Sequence, residues 1–158
     1  MDFITKAIAT AIEQGPRTVR DSQRSKCYAA ERAAYPDRDG PGPLTIAECE
    51  KLANEMVEYA RRVGIVGTWR RHPIRVADGR GRRAAGASWG GNEITLPRWA
   101  RRVEVVAHEV AHCISPEQPP HGPHWVERFL RLIERFDGFE ARQRLGAEMV
   151  KRGVRTRP

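Results

Sequence analysis

The sequence predicts an α+β fold, in which a small antiparallel sheet of about three strands packs with a helix carrying His108-Glu109-x-x-His112 and with several further helices. Three observations point to it. Apolar residues recur at helical spacing up to Gly64 and again from Arg98 onward. Between those stretches the period changes to alternation, with Ile74 and Val76 set among charged or small residues and glycines marking turns. Val105 to His112 is an apolar run interrupted only by two histidines and a glutamate. A chain of 158 residues suits one domain and can bury a core without disulfide staples. That domain is expected over 1–150, with N-terminal helices in 1–64, the sheet in 72–96 and metal-site helices in 98–150. A basic, disordered tail is expected at 151–158.

Taken in order, Phe3, Ala7, Ile8, Ala11 and Ile12 predict a short amphipathic helix from Phe3 to Gln14, stopped by Gly15-Pro16. Asp21 to Ala34 reads as a second helix, with Val19, Cys27, Ala30 and Ala34 near one face and Tyr28 and Glu31 on its flank. Tyr35 to Pro43 is too rich in proline and glycine to be anything but a loop. Thr45 as N-cap and Glu48 three residues on form a capping box, opening a scaffold helix that buries Leu52, Met56, Tyr59 and Val63 and ends at Gly64. Strands are expected at Ile74 to Val76, Ala85 to Trp89 and Asn92 to Leu96, with turns at Asp78-Gly79 and Gly90-Gly91. Pro97 ends the last strand and starts a continuous helix from Arg98 to Ile114. Three prolines between Ser115 and Pro120 break the chain. A helix opening at Pro123 buries Trp125, Phe129, Leu132, Ile133 and Phe136, and a last one covers Phe139 to Val150.

The net charge of +8 is unevenly spread. Residues 68–102 carry nine arginines against Asp78 and Glu93, so an anionic partner such as nucleic acid could meet the chain there, and a solvated basic face is the equally weighted alternative. Three cysteines without a C-x-x-C pair indicate neither a disulfide framework nor a zinc ribbon. Cys113, although it follows His112, points about 100° away from the histidine face and is read as packing. No stretch approaches the ~20 apolar residues of a membrane span, and the N-terminus lacks a signal-peptide pattern. A cytoplasmic protein with no membrane partner is expected.

His108 and His112 lie four apart, one above the other on a helix face, where two imidazoles can close on one metal ion. In a valine-alanine run such groups would cost several kcal/mol of desolvation, on the order expected for buried polar groups, unless something paired with them. A catalytic zinc takes three protein ligands and leaves a position for water. His121, brought back by the Pro-rich reversal, is the expected third ligand, with His124 as its main rival and Glu117 and Glu127 as weaker ones. His124 is otherwise given a supporting role, holding a ligand or stabilising the transition state. Glu109, beside the pair, is the expected catalytic base, taking a proton from water that attacks a carbonyl.

Strand, Leu-Pro, His-Glu-x-x-His helix, reversal and then His121-Gly122-Pro123-x-Trp125 resemble the SprT/Spartan-like zinc metallopeptidases of minimal zincin architecture. The chain is also similar to small metallohydrolases of actinobacteria and their phages, which carry an Asp-x-Gln-Arg-x-x-x-Tyr-x-x-Glu segment, here Asp21, Gln23, Arg24, Tyr28 and Glu31. The resemblance implies zinc as cofactor, ligation by the histidine of the His-Gly-Pro segment, and a protein or peptide substrate, with DNA-dependent proteolysis inherited only as a possibility. It departs in placing His124 where Spartan-like proteins usually have an acid, and in carrying no zinc ribbon. The alternative reading is a basic nucleic-acid-associated protein whose metal is structural or idle. Asn92 to Leu96 is expected to border the cleft and pair an extended peptide by strand addition.

Overall fold

The computed structural model describes residues 19–65, 73–87 and 92–157. The described elements are α1 (Arg24–Ala34), α2 (Ile46–Arg62), β1 (Arg75–Asp78), β2 (Gly86–Ala87), β3 (Glu93–Leu96), a 3-10 turn (Arg98–Ala100), α3 (Val103–Cys113), α4 (Pro123–Phe136) and α5 (Phe139–Lys151). The α+β expectation holds. The helix expected at Phe3 to Gln14 lies outside the described residues. Among the described residues no helix is long and apolar enough to cross a membrane.

Burial explains why α3 is central. Every residue from Glu104 to Ala111 is buried, because α2, α4 and β2 all pack on this helix. Val106 and Val110 meet a core that includes Met56, Ile94, Leu96, Trp125, Phe129, Leu132 and Ile133, and fully burying each large apolar side chain contributes about 1.5–3 kcal/mol. Helix α2 opens as its sequence requires: Thr45 Oγ1 accepts the Glu48 N–H at 3.1 Å while Glu48 Oε2 accepts the Thr45 N–H at 2.7 Å. Helix α5 packs against both α1 and α4.

Four expectations need correction. The sheet is mixed: its order is β1-β3-β2, with β1 parallel to β3 and only β2 antiparallel to it. The chain passes from β1 across β3 because the outer edge of β1 is already taken by α2. Asn54 donates to the Ile74 carbonyl and accepts its N–H, both at 2.9 Å, and Glu50 Oε2 accepts the Val76 N–H at 2.9 Å. Strand β3 is therefore central, and a peptide cannot add to it as expected, since Ile94 and Thr95 are paired on both sides.

The helix expected from Arg98 to Ile114 is broken at Arg101-Arg102. Carbonyls that a continuous helix would use internally are taken by the Pro/Gly loop, through Gly42 N–H to Arg98 O (2.8 Å) and Leu44 N–H to Arg101 O (3.2 Å). A Cβ at Gly42 would sit 2.3 Å from the Arg101 carbonyl oxygen, so only glycine permits this approach. Arg102, extended at φ −134°, sends its guanidinium to the carbonyls of Trp99, Asp39 and Gly40. The tail expected to be disordered is held as far as Arg155: Val154 is buried and Arg155 is bonded by its backbone to Gln23.

Candidate metal centre

Helix α3 presents His108 and His112 from successive turns, and the segment joining α3 to α4 returns His121 against them. That return is braced from outside. Glu117 in the reversal accepts two bonds from the Arg128 guanidinium on α4, at 2.5 and 2.9 Å. Gly122 caps α4 in the extended region with its N–H on the Pro119 carbonyl at 2.9 Å, and a Cβ there would lie 3.0 Å from that oxygen.

Three imidazoles meet through their Nε2 atoms. The separations are 3.2 Å for His112 to His108, 3.2 Å for His112 to His121 and 3.4 Å for His121 to His108. Tetrahedral zinc, with Zn–N bonds of about 2.0–2.1 Å, needs nitrogens about 3.3–3.4 Å apart. The triangle fits that demand on all three sides.

The opposite ring nitrogens explain how the triangle is held. His108 Nδ1 lies 2.5 Å from Glu31 Oε1, and His121 Nδ1 lies 2.6 Å from Asp21 Oδ2. An ionised carboxylate only accepts, so each Nδ1 carries the hydrogen and each Nε2 turns a lone pair inward. Asp21 also accepts the His121 backbone N–H through Oδ1 at 3.2 Å. Lone pairs converging in a buried pocket repel, and each buried acceptor left without a partner costs about 1–3 kcal/mol, so the arrangement calls for a cation at its centre. A metal ion meets that need, and the cluster of buried His108 and His121 with half-buried His112 could hold one.

Electrostatics follow the same pattern. Burial, with the neighbouring His108 and His121, pushes His112 down to about 2, leaving it a neutral donor. At His108 burial also pulls downward, but the Glu31 and Glu109 carboxylates together outweigh it and the net shift is upward. At His121 burial prevails over the partly exposed Asp21, and the shift is downward. Glu109 is 4% exposed, and burial raises its pKa against the opposing pull of His108. It lies outside the group of converging nitrogens.

Aromatic rings shape the pocket. Trp125 contacts all three imidazoles, stacking on His112 at 5.3 Å and meeting His108 and His121 edge-on at 4.8 and 4.7 Å, and its indole N–H points to the His108 carbonyl at 3.4 Å. Tyr28 stacks on His108 at 5.2 Å and tilts against His121 at 5.5 Å, with the Arg24 guanidinium 5.8 Å from its ring.

The structure brings together His108, His112 and His121 with Glu109 alongside. It does not bring His124 to them: its Nδ1 is 3.9 Å from Glu117 Oε1, on a side chain that is 38% exposed. Glu117 is committed to Arg128, and Glu127 is not among the converging groups. Asp21 and Glu31 enter the sequence reading as members of the Asp-x-Gln-Arg-x-x-x-Tyr-x-x-Glu segment, and Trp125 as a core aromatic, none with a role at the site. Glu31 did leave a signal, since it occupies a helical stripe with Cys27, Ala30 and Ala34, where an unpaired acid would be costly. Of the arginine-rich segment, Arg101 pairs with Asp78 at 2.9 Å and Arg102 binds carbonyls, while Arg75, Arg80, Arg82, Arg83 and Arg98 are exposed. No protein-family model, curated protein or solved structure matches the chain.

Proposed function

We propose that this protein is a zinc-dependent metallohydrolase of the minimal zincin type that cleaves peptide bonds, with His108, His112 and His121 as ligands and Glu109 as general base. The observation that carries it is the triangle of Nε2 atoms with carboxylates behind two of its members. Zinc supports the reading over other ions because three imidazoles at tetrahedral spacing are a common zinc donor set. Among the described residues no fourth His, Cys, Asp or Glu joins the cluster, which leaves the position a substrate would need.

Zinc bound there supplies Lewis acidity toward a water molecule and a carbonyl oxygen. Glu109 takes the proton from the attacking water and returns it to the leaving amine nitrogen. Its burial keeps bulk water from competing for that proton. His124 has no step here. Trp125 and Tyr28 wall the imidazoles and keep their rings from turning. An extended peptide would add to β2, which is the open edge among the described residues and packs on α3. Nucleic acid would act on such a cytoplasmic enzyme through the exposed Arg80, Arg82 and Arg83, which lie between β1 and β2 in the chain.

Metal analysis by mass spectrometry on untagged protein tests the reading, comparing wild type with Glu109→Gln. About one zinc per chain is expected in both, with hydrolysis of an unfolded protein substrate, assayed with and without DNA, present only in wild type. A wild-type chain that takes up no metal even under zinc titration would overturn it.

A further inference from the structure

Gln23 is 4% exposed, and its side chain spends every polar atom on backbone far away in sequence. It is the N-cap of α1 yet makes no capping bond there. Its Nε2 donates to the His121 carbonyl at 3.0 Å and to the Arg155 carbonyl at 3.2 Å, and its Oε1 accepts the Arg155 N–H at 2.5 Å. Two residues earlier, Asp21 grips the same histidine through both its ring Nδ1 and its backbone N–H. One short segment thus fixes His121 by ring, N–H and carbonyl, and fastens the same point to the chain beyond α5.

The C-terminal segment is built to be fastened. Val154 is buried, and its N–H bonds to the Met149 carbonyl at 3.0 Å, turning the chain back after α5. Gly153 makes that turn at φ +71°, a conformation that side chains disfavour. Only the backbone of Arg155 meets Gln23, so the side chain at 155 is incidental to the contact.

We propose that Gln23 is a positioning residue of the metal centre and that residues 153–155 are, through it, part of the machinery that retains the ion. This rests on the zinc reading above. Without the Arg155 backbone, one Gln23 N–H and its carbonyl oxygen are left buried and unmatched, and relieving them means releasing His121 from its place in the triangle. The third ligand would then swing, and the ion would leave faster while α3 still holds its pair of histidines.

The test is zinc affinity by chelator competition on wild type, Gln23→Met, a chain ending at Val154, and Arg155→Ala. Gln23→Met keeps the volume and removes all three bonds, whereas the shortened chain keeps Gln23 and the buried Val154. Both are expected to bind zinc roughly tenfold or more weakly, the range found when groups behind metal ligands are removed, while Arg155→Ala matches wild type. Melting of the metal-free proteins separates this from plain destabilisation, because the shortened chain, even if it melts lower, should still be fully folded at the temperature of the assay yet lose zinc faster. If Gln23→Met does not fold, the shortened chain decides alone. Wild-type affinity in the shortened chain overturns the inference even though the metal centre stands. Absence of zinc from wild type removes the centre itself.

Discussion

Of the three helices that face the imidazole triangle, α4 walls it with Trp125, while α3 and α1 contribute in opposite ways. Within five consecutive residues α3 supplies two nitrogen donors and the buried carboxylate, whereas α1 and the residues before it supply no donor at all. What they supply is orientation: Glu31 and Asp21 reach His108 and His121 across 77 and 100 residues of sequence. Spacing along one helix can place donor atoms, but which nitrogen faces inward is decided by partners from elsewhere in the fold.

Removing a donor should exceed any change to its partner. His112→Ala is expected to abolish stoichiometric zinc, read as near-zero metal after dialysis, because two nitrogens cannot replace three. Glu31→Gln sharpens the contrast, with zinc affinity about tenfold weaker since the neutral amide no longer holds the Nδ1 hydrogen by charge. Asp21→Asn should cost less, because Asp21 is partly exposed while Glu31 is buried. If Glu31→Gln binds zinc like wild type, orientation belongs to α3 alone and the contrast fails. His124→Ala should retain full metal.

The smallest expected effect lies beside the two carboxylates. Burial, and after it Glu31 and Asp21, push the Cys27 thiol up to about 12, against an ordinary value of 9.0. The thiolate is disfavoured in the folded chain, so this contribution to stability is intact below pH 9 and fades as pH rises from there toward 12. Urea midpoints followed from pH 8 to 10 should fall more gently in Cys27→Ala than in wild type. Equal slopes would mean that the thiol is not held protonated by the fold.

Much of this was readable from residues alone. The capping box at Thr45 and Glu48, the helices from Pro123 and Phe139, and the approach of His121 over His124 all follow from local spacing and turn chemistry. What was not readable depends on distant partners. Nothing near Ile74 announces that Asn54 will occupy its edge, so a parallel strand was read as antiparallel. The break before α3 depends on a distant loop, at Gly42 and Leu44, taking carbonyls that local periodicity assigns to the helix. Trp125 has the spacing of any core aromatic, and only the fold reveals three imidazoles against it.

The bonds from Asn54 and Glu50 to β1 also govern how separate molecules treat one another. A bare strand edge is adhesive, since its unmet N–H and C=O groups accept the matching edge of a second chain and the process can repeat without limit. Here two side chains of a helix stand where a fourth strand would lie, and a helix cannot pass that pattern on. Self-association by sheet growth is thereby blocked along β1, so crowding many copies together leaves that flank inert.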